Sequence, residues 1–324
     1  MFRLLNNCAR TSKSSICYET LKQRQFASNT TGSHVDLNSN SNQASANYCF
    51  NLVRQHDHEN YLCTLLMTEK PRRSTFGIRA LNVEVSKIAS VVSDDKIGTM
   101  RLKFWYDAIE SIFSPKQSKI PDHPVIKEIH LAITSHNLNK MYLMRLIKCR
   151  ERPPNRLFVT TKELEQYAEE SVSSMYYLMA KILKSESLDV DHALSHLGKA
   201  QGITNMLRAQ SRVDRSKGVC IPQEIMLKHG VSQERILRNK IDDKGVQDCV
   251  FDVASAANSH LEKARKLSSK VPSNIKQLLL PAVAIDRYLE RLRKCDFHLT
   301  HQQLARRDSL LPVMYYWNYL RKNY

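Results

Sequence analysis

From Asn47 onward the chain keeps one hydrophobic rhythm almost without interruption: apolar residues return every three or four positions, as along one face of an α-helix. The spacing predicts helices over residues 47–68, 72–92, 95–113, 124–136, 138–150, 161–184, 190–210, 244–269, 273–294 and 301–321, separated by short Pro, Gly, Ser or Asp signals. No stretch alternates convincingly between apolar and polar, so strands are not expected. A chain of 324 residues can bury a large core, and 8 glycines with 10 prolines suit one long-helix domain better than several small ones. The expected fold is all-α, a single helical bundle spanning residues 47–324.

The scarcity of glycine also removes function classes. Neither GxGxxG nor GxxxxGK[ST] occurs, so nucleotide-phosphate cradles are not expected. The 8 cysteines are scattered with no CxxC pair, which suggests neither a zinc ribbon nor a disulfide framework; they read as buried or idle thiols in a reducing compartment. The longest apolar run, LLLPAVAI at 278–285, is short and interrupted by Pro281, so no transmembrane helix is expected. The formal net charge of +17 suits attraction to anionic lipid, nucleic acid or an acidic partner, but the basic residues are spread rather than run together. No RNA-binding module is recognisable, and no nucleic-acid partner is expected.

The first residues read as an address. Arg3, Arg10, Lys13, Lys22 and Arg24 stand against a single acid, Glu19, within residues 1–26, as in a mitochondrial transit peptide. Residues 27–46 are rich in Ser and Asn and poor in apolar groups, so a disordered linker is expected there, with the folded domain beginning near Asn47.

The most informative stretch is HLGKAQGITNMLRAQSRVDRSKGVCIP, residues 196–222. Leu197, Ala200, Ile203, Thr204, Met206 and Leu207 keep one face toward a core, and Gly198 and Gly202 allow a neighbouring helix to approach closely. Gly218 and Pro222 then mark a turn, which places Asn205, Arg208 and Arg212 at the helix end where a cleft would open. In Leu197, Gly198, Ala200, Thr204, Asn205, Leu207, Arg208 and Pro222 the string resembles the second signature of squalene and phytoene synthases, LGxAxQLTNILRD followed by an acidic pair. The resemblance implies a terpenoid or prenyl-synthase-like bundle around a central cavity, in which two aspartates four apart would hold magnesium against a prenyl diphosphate.

The departures from that pattern fall on the chemistry. The aspartate positions hold Ala209, Arg212 and Val213, and a one-residue slip that recruits Asp214 leaves it partnered by Gln210. The family's first acidic signature, YAFxRxxDDxxD, matches FGIRALNVEVSKIAS at 76–90, where Ser86, Lys87 and Ser90 stand in place of the aspartates. A protonated lysine cannot ligate magnesium. No metal, no cofactor and no catalytic residue are therefore expected.

YLCTLLMTEKPRRSTFGIRALN, MRLKFWYDAIESI and LEQYAEESVSSMYYLMAKIL extend the likeness over most of the chain from residue 47. YLCTLL, HNLNK, SHLGKAQGIT and KHGVSQE are similar to a non-enzymatic branch of the family that serves mitochondrial respiratory complex I. That resemblance implies a non-catalytic assembly factor acting early in biogenesis. Its partners would be complex I subunits and other assembly factors, and it would sit peripherally on the matrix side of the inner membrane. The alternative is a prenyl-diphosphate or lipid-binding protein or transferase with a magnesium-independent basic site. Asn205, Arg208, Arg212, Arg215 and Lys217 would form that anion site, since arginine binds phosphate oxygens directly.

Other pairs at helical spacing read as solvated faces. His192 with His196 lacks a third metal ligand, and His56-Asp57-His58-Glu59 is dense but unorganised. Glu165 with Glu169, Asp248 with Asp252 and Asp286 with Glu290 each have a lysine or arginine neighbour. The C-terminal LLPVMYYWNYLRKNY combines aromatic and basic residues, which suits either a membrane-interface contact or core packing.

Overall fold

The computed structural model describes residues 37–324 apart from 93, 115–119, 153–155, 213–218, 239–242 and 323. Residues 42–324 form one compact unit, and no strand occurs among the described residues. In chain order the helices are α1 (Leu37–His56), α2 (His58–Leu65), α3 (Glu69–Val91), α4 (Asp95–Phe113), α5 (Pro124–His136), α6 (Lys140–Lys148), α7 (Thr161–Ala168), α8 (Ser174–Ile182) and α9 (Leu188–Arg212). They continue as α10 (Gln223–Lys228), α11 (Gln233–Arg238), α12 (Lys244–Leu267), α13 (Pro281–Lys294), α14 (Gln302–Ala305) and α15 (Leu311–Arg321). The all-α bundle expected from the periodicity is the fold found.

Side-chain caps set several of the starts. Asp94, Asn139, Thr160 and Asp243 each accept a backbone N–H of the first turn that follows them, and Pro124 opens α5 where its missing N–H costs nothing. Three differences from the predicted spans have local causes. The segment 47–68 breaks at Asp57, whose backbone leaves the helical region while its carboxylate accepts from Asn60. The segment 273–294 starts its α-helix only at Pro281, which sits in the first turn of α13. The segment 301–321 splits into α14 and α15, the second opened by Pro312.

The N-terminal boundary also differs. α1 begins at Leu37, so the second half of the stretch expected as a disordered linker is helical. Its composition is polar, but it lacks Gly and Pro, and tertiary contacts hold it: Ser45 is buried and Arg73 donates to the Asn42 carbonyl at 2.9 Å. Residues 1–26 and 27–36 lie outside the described residues.

Two apolar clusters fill the bundle. One gathers around α3, α5, α6, α8 and the first half of α9; the other gathers around α7, the second half of α9, α10 and α12. α9 runs through both and packs along α12, which makes it the central column. Its closest neighbour is the α7–α8 rod, which widens into a π-helical turn at Glu169–Ser173. Gly198 and Gly202 lie against that rod, where an added Cβ at Gly198 would come within 2.7 Å of the Ser173 backbone and one at Gly202 within 2.8 Å of Ala168 Cα. The π turn directs Glu169 toward α9, where its carboxylate accepts from Ser195 Oγ at 2.8 Å and from the Tyr177 hydroxyl.

A polar chain crosses the first cluster. Tyr176 donates to Gln201 at 2.7 Å, Gln201 to Asn60 at 3.2 Å, and Asn60 to Asp57 at 2.8 Å. Arg79, only 2% exposed, faces the same carboxylate at 3.8 Å, and its Nε and Nη1 have no hydrogen-bond partner among the described residues. Burial lifts the Asp57 carboxyl above its ordinary range, with Arg79 and Asn60 opposing the rise.

His196 does not pair with His192. It meets His260 of α12, Nδ1 to Nδ1 at 2.8 Å, while His260 Nε2 lies 3.3 Å from Glu165. The tautomers that satisfy this chain have His196 donating to His260 and His260 donating to Glu165. Burial, then His260, pulls the His196 ring down to about 4, and burial likewise lowers His260 against the pull of Glu165. With the His196 ring lowered to about 4 in the fold, the unfolded chain binds more protons between about pH 6.5 and 4. Stability is expected to fall as pH drops through that window, and His196→Gln is expected to flatten the slope of the melting temperature between pH 7 and 5.

Candidate functional site

The C-terminal half of α3 and the last turns of α9 form two walls of a cleft of about 340 Å³. Ser86 and Ser90 line one wall, Ala209 the other, and Asp94, Asp95 and Gly98 of the α4 entrance close the side. Ser86, Ser90 and Ala209, from two distant segments, thus line one space. Lys87 turns away instead and donates to His56 Nε2 at 3.3 Å. Beyond α9, the Cys220 N–H donates to Gln210 Oε1 at 2.8 Å.

The donor set does not fit magnesium. The Ser86 and Ser90 hydroxyls donate to the Val83 and Lys87 carbonyls of their own helix at 2.9 and 2.8 Å, and Ala209 supplies a methyl group. Asp94 is engaged as the cap of α4, accepting from the Lys96 N–H at 2.8 Å. A hard divalent cation asks for several converging oxygens, and among the described residues no group of three or more His, Cys, Asp or Glu is placed to hold one. No chemical step through a metal follows from this site.

Of the residues expected to bind an anion, only Asn205 and Arg208 have side chains among those described. Asn205 is exposed, and Arg208 leaves the cleft to donate to Glu59 at 2.6 Å and to stack on Tyr288 at 4.5 Å. Arg212 ends α9, while Val213, Asp214, Arg215 and Lys217 lie outside the described residues. Arg208 therefore ties α2, α9 and α13 together, which is a structural duty. Replacing it with alanine is expected to cost about 1–3 kcal/mol in urea unfolding, by stranding Glu59 and losing the ring contact. Arg208→Lys keeps the charge without the planar fork, and is expected to recover less than half of that loss.

Among the described residues, the cations that line the cleft are Arg150, Arg152 and Arg156, which the reading of the sequence passed over. The signal was present in the run from Lys148 to Arg156, basic at Lys148, Arg150, Arg152 and Arg156 and broken by Pro153 and Pro154. Arg150 donates to Asn82 Oδ1 at 2.6 Å, and Arg152 donates to Glu163 at 2.8 Å while covering the Phe158 ring at 3.7 Å. Val85, Ile88, Leu102 and Phe158 add apolar lining, beside the polar Glu151, Thr99 and Gln210.

The remaining pairs are held by cations or by neutral donors. Asp252 takes Lys228 and His229, Asp248 takes Lys244, Asp286 takes Arg265, and Glu290 takes Arg293 and Lys294. Cys49, Cys63, Cys149, Cys220, Cys249 and Cys295 are all buried free thiols. Burial pushes Cys63 and Cys220 up to about 12 and Cys249 up to about 11, so none is a poised nucleophile.

Residues 53–310, which include both walls of the cleft, match the family described as squalene/phytoene synthase. The chain belongs to the squalene/phytoene synthase family. It is 48% identical over 287 residues to the Drosophila melanogaster protein named NADH dehydrogenase (ubiquinone) complex I, assembly factor 6 homolog, covering 88% of this chain and 86% of that one. The Homo sapiens protein of the corresponding name is 39% identical over 278 residues, with 86% of this chain and 82% of that one covered. Among solved structures, a dehydrosqualene synthase in complex with ligand superposes with a TM-score of 0.75 at 15% identity, over 87% of this chain and 97% of the other. Squalene synthase HpnC from Alicyclobacillus acidocaldarius gives 0.69 at 17% identity, over 79% and 96%. At such low identity the structural likeness establishes the family's helical fold and nothing about activity.

Proposed function

We propose that this protein is a non-catalytic assembly factor for mitochondrial respiratory complex I. The observation that carries the reading is the chain-long identity of 39–48% to relatives named as complex I assembly factors. The cleft supports it: where a prenyl synthase of this family would gather aspartates, this chain presents Ser86, Ser90 and Ala209. The bundle then works by contact. It binds unassembled subunits or other assembly factors early in biogenesis, on the matrix side of the inner membrane, with residues 1–26 serving as the import signal. No helix among the described residues is long and apolar enough to cross a membrane, so contact with the bilayer is peripheral in this proposal.

A second reading keeps the cleft as a lipid or prenyl-diphosphate site, favoured by its apolar lining beside Arg150, Arg152 and Arg156. One experiment separates the two. Cells lacking the gene are expected to lose assembled complex I selectively, and a variant with the cleft filled by Ser90→Trp is expected to restore it. A uniform respiratory defect or a quinone deficiency overturns the assembly reading, and failure of a folded Ser90→Trp variant to rescue favours the second.

A further inference from the structure

The last helix, α15, is apolar on two opposite sides. Leu311 and Tyr315 face the bundle and are 4% and 1% exposed, packed over α2 and α13. Val313, Tyr316, Trp317 and Leu320 follow at three, four and seven residues and remain 67%, 57%, 53% and 58% exposed. At about 100° per residue these four side chains share one arc, turned away from the buried pair. A surface helix ordinarily turns polar residues outward; one that is apolar on both faces belongs where both are covered. Leu310, also exposed, extends the same patch toward the start of the helix.

Charge says what covers it. Arg306 and Arg307 precede the helix and Arg321 and Lys322 end it, all exposed, with the Arg321 guanidinium lying 4.1 Å over the Trp317 ring. From Ser309 to Tyr324 the sequence contains no Asp or Glu, and the acidic residue just before it, Asp308, is paired with Arg287 at 2.5 Å. The other exposed apolar stripe, Ile97, Met100 and Phe104 on α4, differs in this respect. It lies among charges of both signs, including Asp95 and the Lys103–Asp107 pair. Aromatic and aliphatic groups on a segment whose only charged side chains are cations match the boundary between headgroups and acyl chains in an anionic bilayer, where Trp and Tyr rings settle and Lys and Arg meet lipid phosphates.

We propose that α15 is a membrane-docking helix. It lies flat in the surface of an anionic lipid bilayer, with Val313, Trp317 and Leu320 inserted and Arg306, Arg307, Arg321 and Lys322 on the headgroups. This deepens the membrane-contact part of the function proposed above, and rests on it, by naming the face and the lipid charge.

The test uses the full chain with phosphatidylcholine vesicles, with and without phosphatidylglycerol. Flotation is expected with the anionic vesicles and at least tenfold less with the neutral ones. Acyl chains brominated near the headgroup are expected to quench Trp317; the other tryptophan, Trp105, is buried at 5% exposure. The triple variant Val313→Ser, Trp317→Ser, Leu320→Ser is expected to lose binding at least tenfold while melting as the parent does, and Ile97→Ser with Met100→Ser is expected to keep it. Binding that survives the triple variant, or no binding to anionic vesicles, overturns the proposal. So does a dimer in sedimentation velocity that the triple variant dissolves, since a second copy would then own the face. Rescue of complex I in cells lacking the gene separates this inference from the wider one: a chain that restores complex I without binding vesicles refutes the docking alone.

Discussion

Gly198→Ala is expected to remove about 3 kcal/mol or more of stability, although alanine is the better helix former. The added methyl would sit 2.2 Å from Ser173 Oγ and 2.7 Å from the Ser173 Cα and N. A side-chain oxygen can rotate away, but a backbone cannot, so α9 and the π turn must part along the contact that joins the two apolar clusters. For a domain of this size that corresponds to a drop of roughly 6–12 °C in melting temperature. Gly98→Ala provides the opposite sign. Its Cβ would meet only Ile88 Cγ2 at 4.0 Å, and removing glycine from the first turns of α4 is expected to stabilise by about 0.5–1 kcal/mol. Thermal melts of both variants check the pair; equal effects would mean that the close approach of α9 does not matter.

Arg79→Met is expected to cost about 3 kcal/mol near neutral pH, because it leaves the Asp57 carboxylate without its cation. The lower end of the range applies because Asp57 keeps 22% of its side chain in water, and because the pair is separated by 3.8 Å. The sign with pH follows from the direction of the Asp57 shift. Burial already raises this carboxyl above its ordinary value, and loss of Arg79 raises it further. The folded variant then holds a proton that the unfolded chain releases, so its stability falls as pH rises from the ordinary aspartate range through the folded value. Urea melts at pH 5 and pH 7.5 are expected to show the smaller deficit at pH 5. Adding Asp57→Asn is expected to recover most of the loss and to remove the pH dependence.

The bundle was legible in the sequence because helix periodicity survives wherever one face is buried. The spans over α4 and α5 are found as read, each bounded by a cap or a proline that acts locally. α1 was read short because Asn and Ser say nothing of the partner that holds them; the bond from Arg73 to Asn42 is a tertiary fact. The cleft was half legible. Two signatures far apart in the chain predicted that Ser86, Ser90 and Ala209 would face one space, since a metal site needs both walls. Of the cations read from the sequence, Arg208 turns out of the cleft, while Arg215 and Lys217 lie outside the described residues. A basic run at a helix end looks the same whether its side chains enter a cleft or, like Arg208, reach across to Glu59.

The packing of α15 on α2 also fixes an order of events. α2 leaves the ribosome well before α15, so its neighbours Tyr315 and Leu311 reach it late. Until they arrive, Cys63 lacks its Tyr315 neighbour, and closure of a long loop must precede the final contacts. Completion of the fold is therefore coupled to arrival of the same helix whose outer face we assign to the bilayer. A newly made molecule gains its membrane-facing surface only as its interior closes.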